Sequence, residues 1–404
     1  MIGDYKPFVE EAVIREIEIL AKRLKGIKVL HVNSTREGGG VAEILHRLVL
    51  LMNEVGVKTD WKVIKGDKKF FTFTKKLHNL LHMPGRFEID SEEVVYYLKI
   101  TYENFERIDT ENYDVVIIHD PQPMGLIAKK VKGQKWIWRC HVDTSTPDPA
   151  AWKFIETFIN AYDACIFHMP EFVYEKIKIP TFTIRPSIDP LHPKNVDLSP
   201  EEIKEIVSVF GVDPEKPIIL QVSRFDRLKD PFGVMRAYRM VKKKYASQLV
   251  LLGGFAPDDP EGEEVFRELK EQAEGDKDIF LLNLPPDSHR EVNAFQRAAT
   301  VVVQKSLREG FGLVVSEAMW KGKPVVGSNV GGIKRQVVHG VTGYLVNTVE
   351  GAAWRIRQLL ANAELRESMG NHAIERVRHR FLIIRHLRDY LLLISKLISS
   401  APIL

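Results

Sequence analysis

Cysteine is scarce in this chain, and long hydrophobic runs are missing. Only Cys140 and Cys165 are present, so a disulfide framework is excluded by number, and their apolar, strand-like surroundings predict buried thiols. The most apolar tail, residues 390 to 404, is interrupted by Lys396 and is too short to span a bilayer. The first residues, MIGDYKPFVEEAV, are too charged for the apolar segment of a secretory leader. A cytoplasmic protein with no membrane partner is therefore expected.

Charge of one sign is not in large excess. The formal net charge is +4, and no stretch combines a Lys/Arg array with interleaved aromatic residues, so nucleic acid is not expected as a partner. The histidines show no metal-ligand spacing such as HExxH, and the G-x-G-x-x-G dinucleotide fingerprint is absent. A local positive patch for a phosphorylated ligand stays open.

Short apolar runs that predict buried strands, among them residues 115–119, 136–140 and 164–168, alternate with segments of helical periodicity in two series. The length of 404 residues exceeds the usual ceiling for one core. This alternation predicts an α/β protein with two doubly wound, Rossmann-like domains, each a parallel sheet between helices. A proline-punctuated stretch after Pro180 marks the connection. The predicted domains are residues 1–184 and 185–380, and the last helix, within 381–404, is expected to cross back to the first domain.

One segment, residues 304 to 346, is the most informative. Glu309 and Glu317, with seven residues between them, bracket a glycine-bearing turn that runs into a predicted helix. N–H groups at a helix start lack intrahelical partners, and with the helix dipole they favour an anion. One acid in the turn and one in the helix can hold hydroxyl groups on either side of a bound phosphate. The segment therefore predicts a site for a sugar, a diphosphate and a ribose in a row.

This pattern resembles the donor site of the retaining nucleotide-sugar glycosyltransferases of family 4, through E-x7-E, the GFGL turn and the later GG-I and G-TGYLV motifs. Five further segments together resemble the trehalose glycosyltransferring synthases: HDPQP (119–123), WRCHVD (138–143), PSIDPL (186–191), VSRFDRLKD (222–230) and EVNAFQRA (291–298). The resemblance implies a GT-B fold with the active site in the cleft between the domains. It also implies reversible transfer of glucose from ADP- or UDP-glucose to free glucose, giving α,α-trehalose.

Four residues are predicted to be catalytic on this basis. Arg224 and Lys229 follow a predicted strand, where fixed cations stabilise a departing diphosphate, although two solvated surface cations are the alternative. Glu309 is expected to orient the donor glucose or to support an oxocarbenium-like transition state, while a nucleophile and a simple helix-start acid stay open. His141 is predicted, like Asp143, to lie on the acceptor side, and the resemblance implies that it is near the 6-hydroxyl of the donor sugar, although a histidine beside a strand end is more often structural.

The binding residues divide into a donor group and an acceptor group. Glu317 is expected to accept hydrogen bonds from both ribose hydroxyl groups, with a capping or surface role as the alternative. Asp120 and Asp143 are the predicted acceptor ligands, although an Asp before Pro is equally typical of a turn. The triple glycine at 38 to 40 is expected to contribute to the donor site, although such a sequence is often only a turn. The rest of the predicted donor site is Gly39, Gly40, Gly310, Phe311, Gly312, Leu313 and Val314.

No cofactor is expected to be required, and a stimulatory metal is left open. The DxD pair Asp276 and Asp278 precedes a strand instead of following one, so it is interpreted as a solvated turn. A retaining trehalose phosphorylase, another family-4 glucosyltransferase and a non-catalytic nucleotide-sugar sensor are the alternative functions, and a homodimer is left open. Arg185 stands where the family pattern has proline. Residues 67 to 107 match no motif and are expected to contribute to acceptor selection.

Overall fold

The computed structural model describes residues 1–37, 39–82, 85, 88–254 and 260–399. The chain divides into two compact units, one formed by Met1–Pro186 with Ile383–Leu404 and the other by Ser187–Leu382. The divisions fall at 186/187 and 382/383, where the sequence predicts 184/185 and 380/381. Gly38, four residues of the 67–107 stretch and the tail from residue 400 lie outside the described residues.

The first unit is built on a parallel sheet. Its strands are β1 (Lys28–Asn33), β2 (Lys58–Val63), β3 (Val115–His119), β4 (Lys135–Arg139), β5 (Ala164–Phe167) and β6 (Thr181–Thr183), in the order β2-β1-β3-β4-β5-β6. Central strands are apolar on both faces, and every residue of β3 is buried. The edge strand β2, KTDWKV, instead alternates between exposed and buried residues.

Helices cover both faces of this sheet. They are α1 (Glu11–Arg23), α2 (Gly39–Glu54), α3 (Lys68–His82), α4 (Ser91–Phe105), α5 (Pro149–Ile159) and the last helix, Ile383–Ile398. On one face Leu30 and Val116 join an apolar cluster with Phe73 of α3. On the other face the ring of His31 lies against Tyr390 of the last helix, with ring centroids 5.7 Å apart. The predicted doubly wound arrangement is confirmed for this unit.

The uninterpreted stretch 67–107 forms α3 and α4. Tyr97, fully buried, stacks on Phe70 at 5.7 Å between ring centroids and meets Phe154 edge-on at 5.0 Å. Its hydroxyl donates to the carbonyl of Pro121 at 3.0 Å and accepts from the N–H of Gly125 at 2.9 Å. The described part of this stretch therefore builds core and supports the turn that follows β3. A part in acceptor selection stays a prediction.

The second unit repeats the same plan. Its strands are β7 (Ile218–Val222), β8 (Gln248–Gly253), β9 (Ile279–Asn283), β10 (Val301–Gln304), β11 (Val325–Ser328) and β12 (Gly343–Val346), all parallel, in the order β12-β11-β10-β7-β8-β9. Its helices are α6 (Pro200–Val209), α7 (Pro231–Lys242), α8 (Pro260–Ala273), α9 (His289–Ala298), α10 (Leu313–Trp320), α11 (Ile333–Gln336), α12 (Val349–Ala361) and α13 (Ala363–Arg380). The last helix of the chain is therefore α14.

Local chemistry places the helix starts. Ser199 forms a capping box with Glu202 at the start of α6, where Pro200 occupies the first helical position.

Cys140 and Cys165 are both free and buried, as predicted, and burial raises the pKa of each thiol. Across the described residues, no helix combines the length and apolar character that a membrane crossing needs.

Candidate active site

An ion pair lies at the carboxyl ends of the central strands of the second unit. Lys229 follows β7 and Glu309 follows β10, and these two strands are neighbours in the sheet. The Lys229 Nζ lies 2.8 Å from Glu309 Oε2, with 19% and 9% of the two side chains exposed. The Ser306 hydroxyl donates to the same carboxylate oxygen at 3.1 Å. Two of the predicted catalytic residues are thus in direct contact.

Glycines allow the turn that carries Glu309 to pack closely on its neighbour. Gly312 has φ 78° and caps α10, a left-handed conformation that favours glycine. A Cβ on Gly331 would lie 1.7 Å from the Glu309 carbonyl oxygen, and one on Gly332 would lie 2.4 Å from Phe311 Cα. The second glycine pair therefore lies directly against the first turn, and its lack of side chains shapes the site.

Main-chain amides lie at the helix start that follows the glycine turn. Leu313 and Val314 open α10, so their N–H groups have no acceptor within the helix. Gln336 of α11 donates to the carbonyls of Phe311 and Gly312, at 2.5 and 3.2 Å. The carbonyls of the turn are thereby held while amides at the helix start stay available to an anion. Gly310 lies in the same turn, and the assignment of these residues to a donor diphosphate stays a prediction.

Arg224 differs from Lys229 in its surroundings. It is exposed, with 67% of its side chain accessible, and it pairs with Asp226 at 3.2 Å. Arg227 is also exposed and pairs with Glu268, consistent with an ordinary surface cation. Arg224 therefore shares a loop with Lys229 but not the contact to Glu309, and its phosphate role rests on the sequence pattern.

Sequence reasoning missed a second ion pair under the same loop. Lys305, 7% exposed, pairs with Asp230, which has φ 48° and accepts a hydrogen bond from the Gly233 N–H at the start of α7. Gln221 of β7 donates to the carbonyl of Lys229 at 2.8 Å. These groups fix the backbone on which Lys229 stands. A signal was available, since Lys305 and Ser306 directly follow the apolar run of β10.

Glu317 is enclosed within the second unit. It is 2% exposed and accepts a hydrogen bond from Gln296 Nε2 at 3.1 Å, in the second turn of α10. The alternative of a surface role for Glu317 is wrong, because the side chain is buried. The predicted ribose contact stays a prediction.

Four histidines form one hydrogen-bonded row in the first unit. His31 Nδ1 lies 2.9 Å from His119 Nε2, His119 Nδ1 lies 2.9 Å from His141 Nε2, and His141 Nδ1 lies 3.1 Å from His168 Nε2. They stand near the carboxyl ends of β1, β3, β4 and β5, which are adjacent in the sheet. Both ring nitrogens of His141 are therefore engaged by other histidines, so contact of either nitrogen with a sugar requires exchange of a hydrogen bond.

The histidine row consists of His31, His119, His141 and His168, of which His141 is half-buried and the other three are buried. Burial lowers the pKa of His31 to about 3 and lowers the pKa of His119 and of His141 well below the usual value. The charge of nearby Arg139, which is fully buried, lowers the pKa of His119 and His141 further. Its guanidinium donates hydrogen bonds to the carbonyls of Phe167 and Ile184. The lowered pKa values leave His31, His119 and His141 neutral at physiological pH. Sequence analysis singled out only His141, although all four strand-end segments contain a histidine.

The predicted acceptor residues take part in turns. Asp120 has φ 62°, unusual for a residue other than glycine, and its Oδ1 accepts from the His141 N–H at 2.8 Å. Burial raises the pKa of Asp120 to about 7. Asp143 Oδ1 accepts from the Ser145 N–H at 2.9 Å, an Asx turn. The turn alternative stated for Asp120 is therefore present in the structure, and contact of Asp120 or Asp143 with an acceptor sugar stays a prediction.

Two further features are the glycines at the start of α2 and the carbonyl of Arg185. Gly39 has φ 79° and begins α2, followed by Gly40. The carbonyl of Arg185 accepts hydrogen bonds from Arg385 and His386 of α14, at 2.7 and 2.8 Å. A proline at 185 would offer the same carbonyl, so this departure from the family pattern leaves the contact intact.

The DxD pair lies in a turn and is partly exposed, with 20% of the Asp276 side chain and 32% of the Asp278 side chain accessible. Lys242 Nζ lies 2.5 Å from Asp276 Oδ1 and 2.7 Å from Asp278 Oδ2, so a lysine partners both carboxylates. α7 presents Lys242 to this turn, a contact that the sequence does not predict. In the part of the chain that the structure describes, no group of three or more His, Cys, Asp or Glu residues is arranged to hold a metal ion.

Comparison with known proteins covers both units. A family model described as trehalose synthase, N-terminal domain, matches residues 31–174, and one described as glycosyl transferases group 1 matches residues 202–376. The chain is 46% identical to a trehalose synthase of Pyrococcus horikoshii over 98% of this chain and 96% of that protein. It is 45% identical to a trehalose synthase of Rubrobacter xylanophilus over 98% of this chain and 97% of that protein.

More distant proteins share the fold of this chain but carry other names. A trehalose phosphorylase of Pleurotus pulmonarius is 28% identical over 80% of this chain and 50% of that protein. Among solved structures, a sucrose-phosphate synthase from Thermosynechococcus elongatus aligns with a TM-score of 0.73 at 19% identity, covering 93% of this chain and 100% of that one. A trehalose-6-phosphate synthase aligns at 0.72 and 14% identity, covering 91% and 99%. With the two parallel sheets, these likenesses confirm the predicted GT-B fold.

Proposed function

Because this chain belongs to the trehalose synthase family of glycosyltransferases and is a hexosyltransferase, we propose that its donor is a nucleotide-activated glucose. In the proposed reaction, glucosyl passes from ADP- or UDP-glucose to the anomeric hydroxyl of free glucose. The products are α,α-trehalose and nucleoside diphosphate. The configuration at the donor carbon is retained, and the reaction is reversible.

The contact between Lys229 and Glu309 is the observation that carries this proposal. As the glycosidic bond breaks, negative charge grows on the diphosphate, and a fixed ammonium group beside it stabilises that charge. The carboxylate 2.8 Å away is well placed to accept hydrogen bonds from sugar hydroxyl groups next to the same bond. The amides of Leu313 and Val314 favour a phosphate oxygen at the neighbouring helix start. A diphosphate-linked hexose matches both halves of this arrangement.

Arg224 extends the same proposal. Its guanidinium can donate two parallel N–H bonds to phosphate oxygens. Because the side chain is exposed, it can reorient towards them without breaking buried contacts. With Arg224 and Lys229 carrying the positive charge, we propose that turnover requires no divalent metal. Full activity after exhaustive chelation supports this, and a complete loss restored by added magnesium contradicts it.

A product assay tests the proposed donor. The protein is incubated with trehalose and either ADP, UDP or inorganic phosphate, and sugar products are identified by chromatography and mass spectrometry. Nucleotide-glucose from a nucleoside diphosphate is the expected result. Glucose 1-phosphate from inorganic phosphate would instead make the chain a phosphorylase, as some distant relatives are named.

A further inference from the structure

The histidine row repeats with the spacing of the sheet. Successive ring centroids lie 5.2 Å apart at all three steps, close to the roughly 4.8 Å between neighbouring strands. The row therefore exists because four adjacent parallel strands each place a histidine near the carboxyl end. The row is unbranched, with one hydrogen bond at each of its three steps.

Every step in the row is head to tail. In each one, Nδ1 of one ring meets Nε2 of the next. A neutral imidazole carries one N–H and one acceptor nitrogen, so each step needs one proton. If one ring donates through Nδ1, its neighbour accepts at Nε2 and must in turn donate through Nδ1. Four neutral rings joined in this way must all share the same tautomer, whichever direction the row takes.

The surroundings disfavour a proton on three rings of the row, those of His31, His119 and His141. The buried guanidinium of Arg139 faces it from β4, and His386 and Tyr390 approach it from α14. Asp120, on the turn after β3, binds the main-chain N–H of His141 instead of a ring nitrogen. Burial and the Arg139 charge both disfavour a proton on His119 and His141. Among the described residues, His31 Nε2 has no hydrogen-bond partner at the buried end.

We propose that His31, His119 and His168 are positioning residues that hold His141 in one tautomer and one ring orientation for the sugar acceptor site. The link to a sugar acceptor rests on the proposed function. Without its two neighbours, the ring of His141 could rotate about χ2 or exchange tautomers. The surface that it offers a hydroxyl-rich ligand would then no longer be defined.

The two ends of the row allow a matched test. His31 takes part only through Nδ1, a position that the amide of asparagine reaches and that of glutamine does not. His168 takes part in the row through Nε2, for which the preference is reversed. His31→Asn and His168→Gln should therefore preserve the row, whereas His31→Gln and His168→Asn should break it.

Kinetics with the full-length protein give the first readout. Breaking variants should raise the KM for glucose on the order of ten-fold, the size expected for loss of one buried hydrogen bond, and preserving variants should stay within about three-fold. Affinity for ADP or UDP, measured by titration calorimetry, should be unchanged in all four. A merely structural role would not invert the Asn and Gln preference between the two ends. Equal behaviour of the two amides at each end would overturn the proposal.

Tautomer measurement gives a readout that is independent of trehalose formation. In protein labelled with ¹⁵N-histidine, the four row rings, assigned through the variants, should show one shared neutral tautomer at pH 7. His31→Gln should alter the ring signals of His141, two steps away. Mixed tautomers, or a charged ring within the row, would refute the positioning proposal. A uniform row in a protein that makes no trehalose would instead count against the proposed function alone.

Discussion

At the scale of single residues, the ion pair of the second unit joins two predicted roles. Lys229 is the predicted ligand of the diphosphate and Glu309 that of the hexose, and they contact each other through one carboxylate oxygen, which Ser306 also binds. Charge-assisted hydrogen bonds of this kind orient both groups before a substrate arrives. A substitution at either residue therefore affects the other.

Lys229→Ala should lower kcat by about 10² to 10³-fold, because one preorganised charge is lost beside the leaving group. The matched control is Arg227→Ala, in the same loop, where an exposed cation pairs with Glu268. That variant should keep the wild-type rate. Steady-state kinetics with nucleotide-glucose and glucose make the comparison. Full turnover by Lys229→Ala would exclude leaving-group stabilisation by this residue.

Glu317→Ala should act mainly on nucleotide binding. Its carboxylate is expected to hold the ribose, so the Kd for nucleoside diphosphate should rise about ten-fold while kcat at saturation changes less. The substitution also leaves Gln296 without its bond to this carboxylate, at a stability cost of about 1–3 kcal/mol. Glu317→Gln, which keeps a hydrogen-bonding partner, is the control for that cost. Calorimetric titration and thermal unfolding separate the two effects.

At the scale of elements, strand positions were predictable and helix packing was not. The apolar runs 115–119, 136–140 and 164–168 correspond closely to β3, β4 and β5, because strands buried on both faces have continuous hydrophobic sequences. Residues 67–107 gave no motif, since the apolar residues of α3 and α4 form a cluster that only tertiary packing reveals. Lys242, which partners the DxD pair, lies more than thirty residues away in sequence.

The site shows the same division. The sequence order predicts that Lys229 and Glu309 follow strands, but it does not show that β7 and β10 are neighbours. The histidine row likewise depends on strand order, because β1 and β3 pair directly although α2, β2, α3 and α4 lie between them in sequence. Contacts between strands distant in the chain are the part that single-sequence reasoning could not supply.

Gly331→Ala should disrupt the turn that carries Glu309. The added Cβ would lie 1.7 Å from the Glu309 carbonyl oxygen, so the turn must move, and overpacking of this kind typically costs about 1–3 kcal/mol. Gly340→Ala is the control, because φ there is also positive, at 80°, but nothing lies within 4 Å. Both variants should lose some stability in denaturant unfolding, and only Gly331→Ala should also lose transferase activity. Equal activity in the two variants would count against a site role for this close packing.

At the scale of the whole molecule, buried neutral histidines control the response to acid. His31, His119, His141 and His386 all have pKa values lowered by burial, whereas unfolded histidine titrates near 6.5. Below that pH the unfolded chain binds protons that the folded chain refuses. The free energy of unfolding therefore falls as the pH falls.

Each such histidine should contribute a loss of about 1.4 kcal/mol per pH unit below pH 6.5, continuing for His31 towards its folded pKa of about 3. Asp120 acts in the opposite direction, because its raised pKa of about 7 adds stability as the pH falls from 7 towards 4. One such carboxyl offsets only one histidine. Urea unfolding at pH 7.5, 6.5 and 5.5 should show the net decline.

His31→Leu should reduce the steepness of that decline, while His379→Gln, at an exposed position, should not change it. A free energy of unfolding that stayed constant down to pH 5 would contradict neutral rings at His31, His119 and His141.

The chain leaves the first unit once, after Pro186, and re-enters it once, at Ile383. Ile188 bridges to Leu382, and its N–H donates to the carbonyl of Phe381 at 2.8 Å, so the two ends of the second unit are side by side. The second unit is thus one continuous segment inserted into the sequence of the first. It should be exchangeable between relatives as a single gene fragment, whereas the first unit needs an artificial join of 186 to 383 before it can be produced alone.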